Sequence, residues 1–452
     1  MFMNSLVFSI TLSVLISRVV WTTHRKRKEM LPMKARESVA NYAEQLEQYS
    51  DYVQKQTAKV IAEVGPRESA EASERAAQDY VAEHMTGVAD EVAKEEFDVH
   101  PKAFMGWVLI DGILMILSAL LLTLTLFGVV GKGALIAAFI MTLISVALIL
   151  GEFLFYKEFL DPFFPKRTTY NVLATRKAAG ETKRRVVIAG HIDSAYEWYY
   201  TYLGGGKFLT TMLVYEIGSL VLNLVLDILV LCGVGGIVMK ILAIITIPAF
   251  ICVLFFVNWF RVVPGANDNL TGVFAAMAVL RYFVDNDIRL EHTEIIAAAD
   301  ACEEAGLRGA KAFAKKHAAE YQKEYEEKGI ETICIAVDTL RDYDYMGIYN
   351  KDMSGTVKLD AEAAALVKKA SSIAGLDLDY ANVFFGSSDA AALQQGGLKA
   401  CCLAAMDPTP SNYYHTRRDT PDNMDPRCIV AGVDTLLEAV YLFDEKGFAI
   451  DD

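Results

Sequence analysis

Four long apolar runs set the tightest limit on how this chain folds. They come in two pairs, residues 103–128 with 134–156 and residues 208–232 with 236–260. Each run is long enough to cross about 30 Å of hydrocarbon as a helix, and the links between partners are short and contain glycine. A helix satisfies its own backbone in lipid and an open sheet does not, so each pair reads as a transmembrane helical hairpin. A hairpin returns the chain to the side it left. The organisation that follows is residues 30–102 as the first part of a polar body, 103–156 as hairpin 1, 157–207 as its middle part, 208–260 as hairpin 2, and 261–452 as its C-terminal part. A hydrophobic content of 53% in 452 residues is the surplus such spans require.

Residues 1–29 read as a further, uncleaved membrane anchor, because the basic cluster His24-Arg25-Lys26-Arg27-Lys28 follows the apolar stretch where a signal peptide would carry charge before it. Lys102, Lys157, Lys166, Arg167, Lys207 and Arg261 flank the body-side ends of the hairpins, against only Lys132 and Lys240 near the opposite ends. The positive-inside bias then predicts a multi-pass protein of the cell membrane with its body in the cytoplasm, the bilayer as a partner and the spans as a possible route to a homo-oligomer. A net charge of −14 without a basic stripe argues against nucleic acid. Seven cysteines with no CxxC pair are read as reduced thiols, not a disulfide framework. Inside hairpin 2, Asp227 and Lys240 stand at similar distances from the turn, which predicts an ion pair across it.

The body alternates strand and helix. Helical, charged stretches at 35–64 and 69–88 are separated by Gly65-Pro66, where a helix has to stop. Residues 91–100, 170–175, 185–189, 294–299 and 332–337 read as strands, and helices are expected after Gly272 and over 307–317, 361–374 and 425–443. The alternation predicts an α/β architecture, a mixed, largely parallel sheet flanked by helices, with the two hairpins inserted. Ligands of such sheets bind beyond the carboxyl ends of the strands, which is where His191, Glu303, Glu304 and Asp338 fall.

The polar turn Gly265-Ala266-Asn267-Asp268-Asn269-Leu270-Thr271-Gly272 sits between an apolar run and an alanine-rich helix. Alone, its Asp268 is an ordinary turn or cap carboxylate. In company with Gly190-His191-Ile192-Asp193-Ser194, Cys302-Glu303-Glu304-Ala305-Gly306-Leu307, Asp338 and Tyr414-His415-Thr416 with Asp419, it reads as part of a metal site. Two imidazoles and three carboxylates without a thiolate suit zinc, with manganese or cobalt as alternatives. Two ions need a bridging carboxylate, which Asp268 can supply. His191 with Asp338 can hold one ion, and Glu304 with His415 the other. Glu303 is then left as general base. Adjacent strand residues point to opposite faces, so both Glu side chains serve one site only if they lie past the strand end. Asp193 either caps a turn or orients the His191 imidazole.

In this order the motifs resemble the di-zinc exopeptidase family of the bacterial leucyl aminopeptidases, whose relatives include glutamate carboxypeptidases and glutaminyl cyclases. Gly65-Pro66-Arg67 and the strand Val92–Val99 are similar too. The resemblance implies a phosphorylase/hydrolase-like fold and two zinc ions. It places His191 and Asp338 on one ion, Glu304 and His415 on the other, and Asp268 between them. It makes Glu303 the base and Asp193 the orienting carboxylate, with Tyr414 as a hydrogen-bond donor to the tetrahedral intermediate. The chain departs from the family in placing a whole hairpin between His191 and Asp268. The expected function is a membrane-integral di-zinc metallopeptidase hydrolysing N-terminal amino acids from peptide substrates. Alternatives are a carboxypeptidase, amidohydrolase or glutaminyl cyclase of the same fold, and a non-catalytic membrane transport or scaffold protein with an inert peptidase-like body.

Overall fold

The computed structural model describes residues 34–383, 385–409 and 411–450. The expected N-terminal anchor lies outside them. Helices α1 (Ala35–Ser38), α2 (Tyr42–Glu63) and α3 (Ala72–Met85) precede β1 (Glu91–Val99), and α2 stops at Gly65-Pro66 as the sequence predicts. The apolar helices α4 (Ala103–Leu126) and α5 (Lys132–Leu148) follow, and a π-helical turn (Ile149–Leu154) extends α5. Strands β2 (Arg167–Arg176), β3 (Arg184–His191) and β4 (Tyr196–Trp198) lead into α6 (Tyr199–Leu231) and α7 (Ile237–Val253), and β5 (Val257–Val262) closes that excursion. The rest is α8 (Thr271–Asp285), β6 (Thr293–Asp300), α9 (Arg308–Lys328), β7 (Glu331–Leu340), β8 (Met346–Asp352), β9 (Val357–Lys358), α10 (Ala361–Ile373), β10 (Tyr380–Asn382), α11 (Asp389–Gln395), β11 (Ala400–Ala405) and α12 (Pro426–Lys446).

Among the described residues the main sheet runs β1-β2-β6-β3-β7-β11-β8-β10, with β9 beside β8. Its centre, β6-β3-β7-β11, is parallel, and antiparallel pairs join β1, β2 and β8 to it. Buried on both faces, β3 and β6 carry uninterrupted apolar runs (Val186–Ala189, Ile295–Ala299). One face is covered by α2, α3, α8, α10 and α12, the other by α9 and α11. This is the mixed, largely parallel α/β layer the alternation predicts.

Helices α4 to α7 pack in a ring, each against its sequence neighbour and α4 against α7. Ala103–Leu126, Lys132–Leu154 and Tyr199–Leu231 are long and apolar enough to cross a membrane, while Ile237–Val253 is shorter. Their outer faces expose Ile113, Leu120, Ile140, Val221 and Ile244, an apolar surface that water would penalise. Two expectations are corrected. The fourth apolar run does not stay helical to Phe260: Asn258 turns its side chain onto Glu197 and β5 pairs with β4, so the helix ends at Val253. Asp227 does not pair with Lys240. Fully buried, it accepts from Thr142 (2.7 Å) and Asn223 (3.2 Å), while Lys240 lies over the Phe127 ring.

Candidate metal centre

The parallel strands β6, β3 and β7 deliver their carboxyl ends to one edge of the sheet. His191 ends β3, Asp338 lies near the end of β7, and Glu303 and Glu304 lie past Asp300, the last residue of β6. The two adjacent glutamates therefore escape strand alternation and share one site. The turn after them closes through amides of Gly306 and Leu307 onto the Glu303 carbonyl (2.8 and 2.7 Å). Gly190 lets this edge meet the Asp268 turn: a Cβ there would stand 2.6 Å from backbone atoms of Gly272 and Val273 at the start of α8. His415 comes from the loop after β11.

These residues converge. His191 Nε2 is 3.2 Å from Asp268 Oδ1, 3.8 Å from Glu303 Oε2 and 3.9 Å from Asp338 Oδ1. His415 Nε2 is 2.9 Å from Asp268 Oδ2 and 3.3 Å from Glu304 Oε1. The two oxygens of Asp268 thus face different imidazoles, that of His191 with Glu303 and Asp338 nearby and that of His415 with Glu304. His191, Asp268 and Glu304 offer ligand atoms within 4.8 Å of one another. Tyr414 stacks its ring on His415 at 4.0 Å, and both line the cavity above the centre.

Beneath this layer, the carboxylates of Asp193, Asp419 and Glu197 hold the segments that carry the site. Asp193 accepts from the amides of Glu303 (3.0 Å) and Glu304 (3.1 Å) and from the Ser69 hydroxyl (2.7 Å), and its Oδ1 lies 3.4 Å from His191 Nδ1. Asp419 accepts from the Asn267 amide and side chain and from the Asp268 amide, fixing the turn. The fully buried Arg67 guanidinium donates to the carbonyls of Ile192, Pro264 and Gly265, tying the His191 and Asp268 segments together. Glu197 on β4 binds Arg417 in a fork (2.6 and 2.5 Å), and the Trp198 amide donates to the His415 carbonyl at 2.8 Å. Sequence reading assigned no role to Glu197, Trp198 or Arg417. Their only signal is proximity in sequence to the hairpin root and to His415.

The electrostatics are those of a ligand shell. Burial pushes Glu303 well above the usual carboxylate range, and Glu304, Asp389 and Asp338 add to the rise against His191. Asp338 is pushed up to about 7 by burial and by Asp268. Burial also raises Asp268, but the imidazoles of His191 and His415 beside its two oxygens outweigh it and hold the group well below its ordinary value. Burial disfavours the His415 cation, yet Glu304 and Asp268 raise the group to about 10. Asp268 Oδ2 and Glu304 Oε1 are buried without a hydrogen-bond donor, although such groups are nearly always satisfied. Divalent cations would relieve both the crowding of carboxylates and the orphaned lone pairs, and an all-N/O donor set fits zinc.

Residues 253–440 match the profile of peptidase family M28. The chain carries an M28 peptidase domain. Its fold is similar to that of a glutaminyl cyclase from Bacteroides thetaiotaomicron bound to N-acetylhistamine (14% identity, 88% of this chain and 97% of that one, TM-score 0.50). A Zn-dependent exopeptidase from Parabacteroides distasonis is similar at 14% identity over 87% and 97% of the two chains, TM-score 0.50. A zinc aminopeptidase from Bacillus subtilis is similar at 13% identity over 87% and 94%, TM-score 0.50. At such identities the likeness is one of fold. No curated protein matches significantly. The family and the donor set together support a zinc-dependent metallo-exopeptidase.

Proposed function

We propose that this protein is a membrane-integral aminopeptidase that hydrolyses the N-terminal peptide bond of its substrate. The observation that carries this reading is Asp268, whose two oxygens face His191 and His415 separately. His191, Asp338 and Asp268 would hold one zinc ion, and Glu304, His415 and Asp268 a second. Bound there, zinc would lower the pKa of a water molecule and polarise the scissile carbonyl. Glu303, past the end of β6 and beside the ligands, accepts the proton of the attacking water and passes it to the leaving amine. Asp193 holds the His191 ring and the Glu303-Glu304 backbone in place for that transfer. The Tyr414 hydroxyl is the donor for the developing oxyanion.

The test is turnover of aminoacyl-arylamides and short peptides by the purified protein, with zinc content measured alongside. Zinc near two equivalents, with turnover that Glu303→Ala abolishes while the zinc remains, is the expected result. Two equivalents without turnover on free-amine substrates would move the reading to blocked or C-terminal substrates, and absence of both would favour an inert body.

The apolar helices support a multi-pass location, and the basic residues flanking their body-side ends favour a body on the cytoplasmic face. Cys232, exposed at the turn between α6 and α7, reports on this directly, because Cys302, Cys334, Cys401, Cys402 and Cys428 are buried and the half-buried Cys252 lies at the body end of α7, where Cys252→Ser removes it from the reading. A membrane-impermeant maleimide added to intact cells should label Cys232. Labelling only after permeabilisation would reverse the orientation.

A further inference from the structure

The cavity above the metal centre does not end at the polar body. From His191, Glu303 and His415 its walls continue past Trp107, Trp198 and Phe385 into the interior of the helical ring. On α4 the lining includes Phe104, Val108, Asp111 and Met115, one face of the helix over three turns, which is about 16 Å at 1.5 Å per residue, with Met105 and Trp107 beside them near the body. Phe104 packs into the body, and the deepest lining residues, Met115, Leu220 and Phe250, pack together inside the ring. The cavity is thus open to the metal centre at one end and floored by apolar side chains in the bundle at the other. It is deeper than any standard amino-acid side chain is long.

Two carboxyls interrupt this wall, Asp111 and Glu216, each one turn above the floor on its own helix. Glu216 is answered within the protein by the Tyr200 hydroxyl at 2.7 Å, whereas Asp111 Oδ1 has no hydrogen-bond partner. The remaining bundle part of the lining, including Leu213, Ile217, Phe250 and Val253, is hydrocarbon. Such a pocket binds an alkyl chain, and little else of that length is as apolar.

We infer that the substrate is an amphiphile: its scissile amide lies at the metal centre, and a long apolar chain joined to it, a fatty acyl or alkyl group, lies inside the bundle. This rests on the hydrolase reading above and names its substrate class. It also gives the hairpins a task, since their helices line the site of that chain.

Hydroxamates test the inference by binding alone, because the head group ligates zinc and the tail is free to vary. The zinc-loaded full chain in nanodiscs avoids detergent, whose own alkyl chain would compete. Acetohydroxamate reports the metal centre, and octanohydroxamate adds the chain. Burial of each methylene tightens binding roughly threefold, so at least about a hundredfold gain is expected from acetyl to octanoyl. Met115→Trp and Leu220→Trp, which fill the floor, should remove at least about tenfold of that gain, with acetohydroxamate affinity showing that each variant retains its metal centre. Equal affinity for both compounds in the unaltered protein would overturn the inference and leave the metal centre standing. Tighter binding of ω-amino-octanohydroxamate than of octanohydroxamate would overturn it in favour of a cationic chain end held by Asp111. Failure of acetohydroxamate to bind would overturn the hydrolase reading and the substrate class with it.

Discussion

Asp193→Asn isolates what the carboxylate beneath the metal centre does. Asp193 takes three donors on two oxygens and lies 3.4 Å from His191 Nδ1. The amide of Asn keeps the shape but turns one acceptor into a donor. With the nitrogen in the Oδ1 place, it would oppose the Glu303 N–H and the His191 ring nitrogen. In the Oδ2 place, the Ser69 hydroxyl can rotate to accept, but the Glu304 N–H is left without a partner. The second arrangement is the less costly, and one orphaned buried N–H costs about 1–3 kcal/mol. Loss of the carboxylate behind a metal-binding imidazole lowers metal affinity or activity by about 10- to 100-fold. The expected result is zinc affinity, measured by chelator competition, reduced about 10- to 100-fold, with a similar or larger fall in turnover on an aminoacyl-arylamide. Affinity and turnover within about twofold of the unaltered protein would show that Asp193 neither orients His191 nor fixes the Glu303-Glu304 backbone.

Gly190→Ala forces a Cβ to within 2.6 Å of the Gly272 and Val273 backbone, which has no flexible end to move aside. Loss of zinc binding, or of expression altogether, is expected, and a stable zinc-binding variant would refute the close approach. Lys240→Ala removes only a cation above the Phe127 ring, 4.6 Å from its centroid, so thermal stability should change by no more than about 1 kcal/mol and membrane insertion should be unaffected. A larger loss would reinstate a buried ion pair. Glu74, fully buried, is pushed up from 4.5 to about 7, chiefly by burial and then by Asp193. The folded form therefore holds its proton longer than the unfolded one, and stability should fall as pH rises from 4.5 to about 7, by roughly 3 kcal/mol in all. Thermal midpoints across that window should slope downward in the unaltered protein and lose part of the slope in Glu74→Gln. Parallel curves would rule Glu74 out as the source.

The convergence of His191, Glu303, Glu304 and Asp338 was legible because each is a polar group at or just past the end of a β-like apolar run, and the parallel strands carry those ends to one edge. What the sequence hid has definite physical causes. Strand β11, Ala-Cys-Cys-Leu-Ala-Ala, is buried on both faces and shows no alternation, so periodicity cannot separate it from a piece of helix. Strand β5 continues the apolar composition of α7, and only the pairing of Asn258 with Glu197 distinguishes it. The Asp227–Lys240 pair failed because its prediction considered one hairpin by itself. In the folded ring, Thr142 from the other hairpin reaches Asp227 first.

The placement of hairpin 2 between His191 and Asp268 looks disruptive in sequence and is not so in the fold. The chain leaves the body through β4 and returns through β5, and the two pair antiparallel, so α6 and α7 are an elongated loop on a two-stranded ribbon. The ends of the excursion are as close as those of an ordinary β-hairpin, and closing it costs entropy that grows only slowly with the length inserted. That ribbon also bears Glu197, which grips Arg417, and Trp198, which bonds the His415 backbone and packs its ring 4.3 Å from the imidazole. The root of the apolar helices α6 and α7 is therefore also a support of His415.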